Sequence, residues 1–179
     1  MFGLLHRVSD VLGSVDHALI GAAAMSVAGY TRATQDLDLL VLDEKVFDPR
    51  LWADLRAGGI EVEIRDGRSD PEDPLKGVVR IVDPSDENGG EVDVVVGRKP
   101  RWQLPILARA RRVHLGGREV AVATAADIVL LKLDAGGNGD QADIRELLAT
   151  DPAIVSLVDE GVKEMSRGCR SLWAQLRPK

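Results

Sequence analysis

The sequence contains little cysteine, histidine or aromatic residue. A single cysteine, Cys169, excludes an internal disulfide and a cysteine metal site and is expected to be an incidental surface or half-buried thiol. The three histidines, His6, His17 and His114, lack the spacing of metal ligands. No apolar run approaches the roughly 20 residues of a membrane helix. Residues 1–12 lack the apolar core of a signal peptide, so we expect a cytoplasmic protein without membrane contact.

Length and composition indicate an ordinary globular chain. Its 179 residues, 45% of them hydrophobic, can form one well-buried core. The net charge of −6 argues against broad, unspecific binding to nucleic acid. Positive charge is nevertheless concentrated in residues 98–118, which we call the basic segment and which contain no acid. Its cationic residues are Arg98, Lys99, Arg101, Arg109, Arg111, Arg112 and Arg118.

Two acids at a spacing of two stand at the start of an apolar stretch. On a strand, Asp36 and Asp38 would share one face while Leu37 takes the other. Residues 39–42 are all apolar, so the strand is expected to enter the interior directly after the acids. Paired carboxylates repel each other unless a cation or a proton lies between them. Mg²⁺, which is commonly held by one or two carboxylates plus substrate phosphates, would supply that charge.

Apolar periodicity and turn residues predict a mixed α/β chain. A strand ending at Gly21, a small-residue helix over 22–28, a strand over 36–42 and a helix after Asp48 and Pro49 form the beginning. Strands are predicted at 60–65, 78–82 and 91–96, followed by a helix at 102–112 and a hairpin at 113–122. Asp93 is the only charge in the apolar run 92–96. Helices from Thr124 to about 165 precede a basic tail, which suggests an α/β core over 1–123 and a helical region over 124–179.

These features, in this order, resemble the nucleotidyltransferase fold shared with DNA polymerase β. The first half of the resemblance rests on Ile20-Gly21-Ala22-Ala23-Ala24 and on Arg32-Ala33-Thr34-Gln35-Asp36-Leu37-Asp38. The second half rests on Lys132 in an apolar helix, followed by Asp140-Gln141-Ala142-Asp143. The pattern is similar to the minimal prokaryotic toxin-type branch that includes AbiEii and MenT-like proteins. It implies an α+β (α/β) fold, with a mixed sheet flanked by helices and a helical C-terminal part.

The resemblance also implies a reaction and roles for particular residues. A nucleoside monophosphate would pass from an NTP to an acceptor, with two Mg²⁺ ions, or Mn²⁺, held by Asp36, Asp38 and Asp93. Lys132 and Arg32 would contact phosphates. The turn at Gly21 and Ala22 would offer backbone N–H groups to the triphosphate. Asp143 would partner Lys132 within the nucleotide site.

Each of these residues also has a structural interpretation. Asp36 and Asp38 could pair with Arg32 at a solvated strand start, and Asp93 could form a salt bridge with a neighbouring arginine. Lys132 could extend from the core to solvent. Asp127 is expected to cap its helix, and the pair Asp140 and Asp143 could be an N-cap and a surface acid.

Two principal hypotheses follow. The first is a toxin-type, metal-dependent nucleotidyltransferase with a macromolecular acceptor, such as tRNA bound by the basic segment, and an antitoxin protein as partner. The second is a catalytically silent module that binds a nucleotide or a protein. Ala22 favours the second, because transferases of this fold commonly place serine or glycine there. A transferase acting on small molecules such as aminoglycosides also fits the fold, but no sequence feature selects it.

Overall fold

The computed structural model describes residues 2–30, 36–70, 75–86 and 90–178. Within these residues the chain forms one seven-stranded sheet with helices packed around it. The strands are β1 (His17–Ile20), β2 (Asp36–Val41), β3 (Glu61–Asp66), β4 (Leu75–Val82), β5 (Glu91–Gly97), β6 (Arg111–Leu115) and β7 (Arg118–Val122).

The sheet is mixed and has the order β3-β4-β5-β2-β1-β7-β6. The central strand β2 runs parallel to β5 and antiparallel to β1, and β1 runs parallel to the short β7. The pairs β3·β4, β4·β5 and β6·β7 are antiparallel. Strand β2 therefore lies in the middle of the sheet, and β5 brings a distant part of the chain alongside it.

Helices flank the sheet and account for nearly all of the chain after β7. Four 3₁₀ turns, at Glu44–Phe47, Pro49–Trp52, Pro152–Ile154 and Val162–Glu164, supplement the α-helices of the described residues. The α-helices are α1 (Phe2–Leu12), α2 (Gly21–Val27), α3 (Ala53–Ala57), α4 (Pro100–Arg109), α5 (Ala125–Ala135), α6 (Asn138–Thr150), α7 (Val155–Gly161) and α8 (Arg167–Leu176).

Alternation along β2 and β5 separates a buried face of the sheet from the face that carries the acids. Leu37, Leu39, Val92 and Val94 are completely buried, whereas the residues between them that bear carboxylates retain access to solvent. Burial of such side chains contributes about 1.5 to 3 kcal/mol each, which fixes the register of the two strands. The position of the acids is thus a consequence of core packing.

Most predicted elements are present, and three predictions need correction. The helix predicted to Arg112 ends at Arg109, because residues 111–115 pair with β7 as strand β6. The predicted basic tail contains α8, which begins at the N-cap Ser166 and buries Trp173. Cys169 is also buried in α8 and has no disulfide partner. Both tail differences come from tertiary packing that local composition does not reveal.

No helix within the described ranges combines the length and apolarity needed to cross a membrane.

Candidate active site

Four carboxylates occupy adjacent positions on β2 and β5. In the parallel pairing of these strands, Asp38 lies opposite Asp93 and Asp36 lies opposite Glu91. Partners in register present their side chains on the same face of a sheet. The structure therefore joins the three predicted acids into one group, the carboxylate array, and adds Glu91 as a fourth. The spacing of two between Glu91 and Asp93, which repeats that of Asp36 and Asp38, was the available sequence signal for Glu91.

The absence of a side chain at Gly21 leaves room for the Asp38 carboxylate. The glycine has φ of +66°, a left-handed conformation, and begins α2 immediately after β1. A Cβ atom at this position would lie 2.1 Å from Asp38 Oδ2. Strand pairing places Ile20 opposite Asp38, so the turn passes directly over the acid. Glycine is required here both by the backbone conformation and by the neighbouring carboxylate.

The charge around Asp38 is unfavourable for its ionised form. Burial, first, and then the negative charges of Asp93, Asp36 and Glu91 together raise the pKa of Asp38 to about 6. The positive charge of Lys132 acts in the opposite direction. A cation placed beside Asp38 would relieve this repulsion, which is the electrostatic property expected of a metal or phosphate-metal site.

Asp93 has an internal counter-ion. Arg80, its direct partner across β4 and β5, donates from Nε to Oδ1 at 3.1 Å and from Nη2 to Oδ2 at 2.9 Å. The same guanidinium also forms an ion pair with Glu91, at 2.9 Å between Nε and Oε1. The sequence interpretation of Asp93 as the partner of a neighbouring arginine is therefore realised in the structure.

Lys132 is held by the acids of the following helix. Its Nζ lies 2.6 Å from Asp143 Oδ2 and 3.0 Å from Asp140 Oδ1. Only 5% of the Asp143 side chain and 13% of the Lys132 side chain are exposed. The predicted contact between Asp143 and Lys132 is present, and its part in a nucleotide site stays a prediction. Because Lys132 also acts on the pKa of Asp38, its ammonium group belongs electrostatically to the same centre.

The carboxylates have the chemistry of a magnesium site but are not arranged as a complete one. Within the part of the chain that the structure describes, no group of three or more His, Cys, Asp or Glu side chains is positioned to hold a metal ion. Both carboxylate oxygens of Asp93 accept hydrogen bonds from Arg80, so this acid already has a cation beside it. Oxygen donors and mutual repulsion at Asp38 nevertheless fit a hard cation bound by Asp36 and Asp38 together with phosphate oxygens.

Of the two other residues predicted to contact the nucleotide, Ala22 and Arg32, the structure describes only Ala22. Ala22 lies in the first turn of α2, where it offers a backbone N–H and no hydroxyl. Ser26 does not replace a hydroxyl there, because its Oγ donates to the Ala22 carbonyl at 3.2 Å. Arg32 lies outside the described residues.

The basic segment is largely neutralised within the molecule. Arg98 donates to backbone carbonyls of residues 67, 70 and 75. Four further cations have carboxylate partners, in the pairs Lys99–Asp134, Arg101–Glu164, Arg109–Asp127 and Arg118–Asp10. Arg111 and Arg112 are exposed on β6. Much of the positive charge that the sequence concentrates in this segment therefore stabilises tertiary contacts.

Asp127 lies in the first turn of α5, whose N-cap is Thr124, and is almost completely buried. Thr124 Oγ1 donates to Asp127 Oδ2 at 2.7 Å and accepts from the Asp127 backbone N–H. Arg109 supplies the compensating charge. A cleft of about 830 Å³ adjoins this group, walled by α2, α4 and α7, and none of the four array carboxylates lines it. The cleft is thus separate from the candidate active site.

The arrangement of sheet, turn and acids defines a protein with a nucleotidyltransferase-like fold. Comparison with solved structures confirms the predicted mixed sheet flanked by helices. An antigenic nucleotidyltransferase-like protein from Paracoccidioides brasiliensis superposes with a TM-score of 0.56 at 20% identity, covering 97% of this chain and 84% of that one.

The antibiotic-resistance factor ANT(2'')-Ia is also similar. Its solution structure gives a TM-score of 0.51 at 15% identity, with 97% of this chain and 93% of that chain covered. Its crystal structure with adenylyl-2''-tobramycin gives a TM-score of 0.50 at 14% identity, with 97% of each chain covered. No protein-family model matches the sequence. No curated protein matches it either.

Proposed function

We propose that the protein is a metal-dependent nucleotidyltransferase that moves a nucleoside monophosphate from an NTP to an acceptor hydroxyl. The observation that supports this most directly is the carboxylate array beside the Gly21 turn, with Asp38 and Asp93 in register. Nothing in core packing requires four carboxylates at adjoining positions. Arg80 offsets the charge of Asp93 and Glu91, whereas Asp38 lies among negative charges that a bound cation would relieve. The fold shared with ANT(2'')-Ia supports the same chemistry.

In the proposed reaction the acceptor hydroxyl oxygen attacks the α-phosphorus and its proton passes to water. The bond to the bridging oxygen of the β-phosphate breaks, so pyrophosphate leaves with the electron pair. Asp36 and Asp38 would hold the Mg²⁺–NTP complex, and bound Mg²⁺ would neutralise charge on the triphosphate. Backbone N–H groups at Gly21 and Ala22 would orient phosphate oxygens. Lys132 would contribute positive charge near the same group.

Two chemical classes of acceptor are considered for the proposed transfer. A macromolecular hydroxyl, with RNA approaching Arg111 and Arg112, follows the sequence hypothesis, although internal ion pairs reduce the charge available for it. The toxin role and an antitoxin partner rest on the sequence resemblance. A small hydroxyl compound is a second candidate, favoured by the adenylyl-2''-tobramycin held by ANT(2'')-Ia. Incubation with α-labelled NTP and either total RNA or an aminoglycoside would distinguish the two classes by which product carries the label.

A silent nucleotide- or protein-binding module is the competing function. Two observations favour it: Ala22 provides no hydroxyl at the turn, and Arg80 neutralises Asp93. Retention of Asp38 at an electrostatic cost favours the enzyme instead. The two functions differ in whether label moves to any acceptor, whereas both allow nucleotide to bind.

Calorimetric titration with Mg²⁺ and each NTP tests the site. The wild-type chain should bind at least one NTP only when Mg²⁺ is present, and the double variant Asp36→Asn, Asp38→Asn should lose this binding. Asp10→Asn is the matched control, because Asp10 is an exposed acid that pairs with Arg118 on a different part of the surface. Folded wild-type protein that binds no NTP under any condition would remove the proposed site.

A further inference from the structure

We propose that Arg80 is a built-in cation of the carboxylate array that takes the place of a second metal ion. This inference rests on the proposed function, since it concerns how the same site holds divalent ions. Asp36 and Asp38 then bind a single ion with the nucleotide, and Asp93 remains with Arg80. Arg80 is a positioning residue, because it acts on Asp93 and touches no substrate in this arrangement.

The contact between Arg80 and Asp93 is fixed by the sheet. The two residues are direct partners in the antiparallel pairing of β4 and β5, so the backbone brings their side chains together before any ligand is present. Both carboxylate oxygens of Asp93 accept from the guanidinium, at 3.1 and 2.9 Å. Two parallel charge-assisted hydrogen bonds of this kind are stronger and more directional than a single contact.

Arg80 also contacts Glu91, so one guanidinium serves both acids of β5. Its Nε lies 2.9 Å from Glu91 Oε1. The Asp93 side chain is only 15% exposed and that of Glu91 21% exposed, which limits competition from water. The array therefore divides into a β5 pair with a protein-supplied cation and the β2 residues, where Asp38 lies in an excess of negative charge.

A divalent ion at Asp93 would have to displace this cation. An arginine cannot lose its proton in a protein, so the displaced guanidinium would keep its full charge beside the incoming metal. The repulsion between two cations at such short range opposes the exchange. At Asp38 the carboxylates outweigh the positive charge of Lys132, so an added cation reduces repulsion there. The first ion is consequently favoured at β2 and a second ion at Asp93 is disfavoured.

The stoichiometry of Mn²⁺ binding tests the proposal. Mn²⁺ is titrated by calorimetry and by electron paramagnetic resonance in the presence of a non-hydrolysable NTP analogue. Wild type should bind a single ion, Arg80→Gln should bind a second, and Arg80→Lys should restore single-ion binding because the positive charge returns. Arg65→Gln is the matched control: Arg65 lies on the same sheet face and acts on Asp93 through its charge, but its guanidinium hydrogen-bonds Glu63, so its removal should leave the stoichiometry unchanged.

Two further variants keep the proposal testable if Arg80→Gln does not fold. Asp93→Asn should leave the affinity for the single ion within about threefold of wild type, whereas Asp38→Asn should abolish it. Three outcomes would each overturn the role of Arg80 while leaving the proposed function intact. They are two ions bound by wild type, one ion bound by folded Arg80→Gln, and a second ion gained equally in Arg65→Gln. Absence of Mn²⁺ binding in folded wild type and in every variant would overturn both.

Discussion

The Asp38 carboxylate occupies the space in which a side chain at position 21 would stand. Gly21 directly follows Ile20, the strand partner of Asp38, and a Cβ built at Gly21 would lie 2.1 Å from Asp38 Oδ2, which leaves no room for alanine. The Gly21 turn and the Asp38 carboxylate are therefore a single packed unit. A change at either residue should affect the other.

Gly21→Ala should lower stability and displace the Asp38 carboxylate. Positive φ alone costs an alanine about 1 to 2 kcal/mol, and the clash with Asp38 should add about 1 to 3 kcal/mol. Gly59→Ala is the matched control, since Gly59 has φ of +85° and open space where its Cβ would lie. Urea unfolding should show a larger loss for Gly21→Ala, together with loss of Mg²⁺–NTP binding. Equal losses in the two variants would mean that Asp38 moves aside freely.

The raised pKa of Asp38 predicts a pH dependence of stability with a definite sign. The carboxyl has a pKa of about 6 in the fold against 3.8 in a model compound, so between these values the folded state binds more protons than the unfolded state. Stability from this group is therefore lost as pH rises from about 4 to about 6, by at most roughly 3 kcal/mol.

Asp38→Asn isolates that contribution. The variant should be more stable than wild type near pH 8, and the difference should diminish towards pH 4, because the wild-type acid is then protonated. Mn²⁺ binding by wild type should weaken about tenfold for each pH unit below about 6, since the metal requires the carboxylate. Urea unfolding and calorimetry at several pH values measure both effects. A stability difference that does not vary with pH would contradict the assigned pKa.

Lys132 should couple the helical part of the chain to the carboxylate array. Lys132→Met leaves Asp143 buried without its ammonium partner, which should cost about 3 to 5 kcal/mol, and it should raise the pKa of Asp38 further. The pH midpoint of Mn²⁺ binding would then move upward by a few tenths of a unit to about one unit. Lys163→Met is the control, because Lys163 pairs with Glu160 at the surface. An unchanged midpoint would remove Lys132 from the electrostatics of the site.

The arginines of the basic segment should differ sharply in their effect on stability. Arg109→Gln leaves the buried Asp127 without its counter-ion and should cost about 3 to 5 kcal/mol in urea unfolding. The double variant Arg111→Gln, Arg112→Gln should change stability by less than about 0.5 kcal/mol and is the appropriate variant for measuring RNA association. RNA retention by that variant, equal to wild type, would exclude these residues as an RNA contact.

The sequence by itself determined most of the individual strands, the turn at Gly21 and the positions of the principal acids. Alternation of Asp36 and Asp38 with buried leucines requires only a strand with one buried face, which is a local property. The small-residue helix after Gly21 and the N-cap at Thr124 are likewise set by neighbouring residues. For the same reason Asp93 could be singled out as a lone charge in an apolar run.

Only the tertiary structure decided which charges meet. Glu91 joined the array and Arg80 reached Asp93 because β5 pairs with β2 on one side and β4 on the other, and strand register is not encoded in any single segment. From the sequence, the cations of the basic segment were expected to be available to RNA. Their carboxylate partners, such as Asp10 and Asp127, lie outside the segment, and only the fold brings them together. Charge neutralisation depends on distances between segments, and those distances exist only in the folded chain.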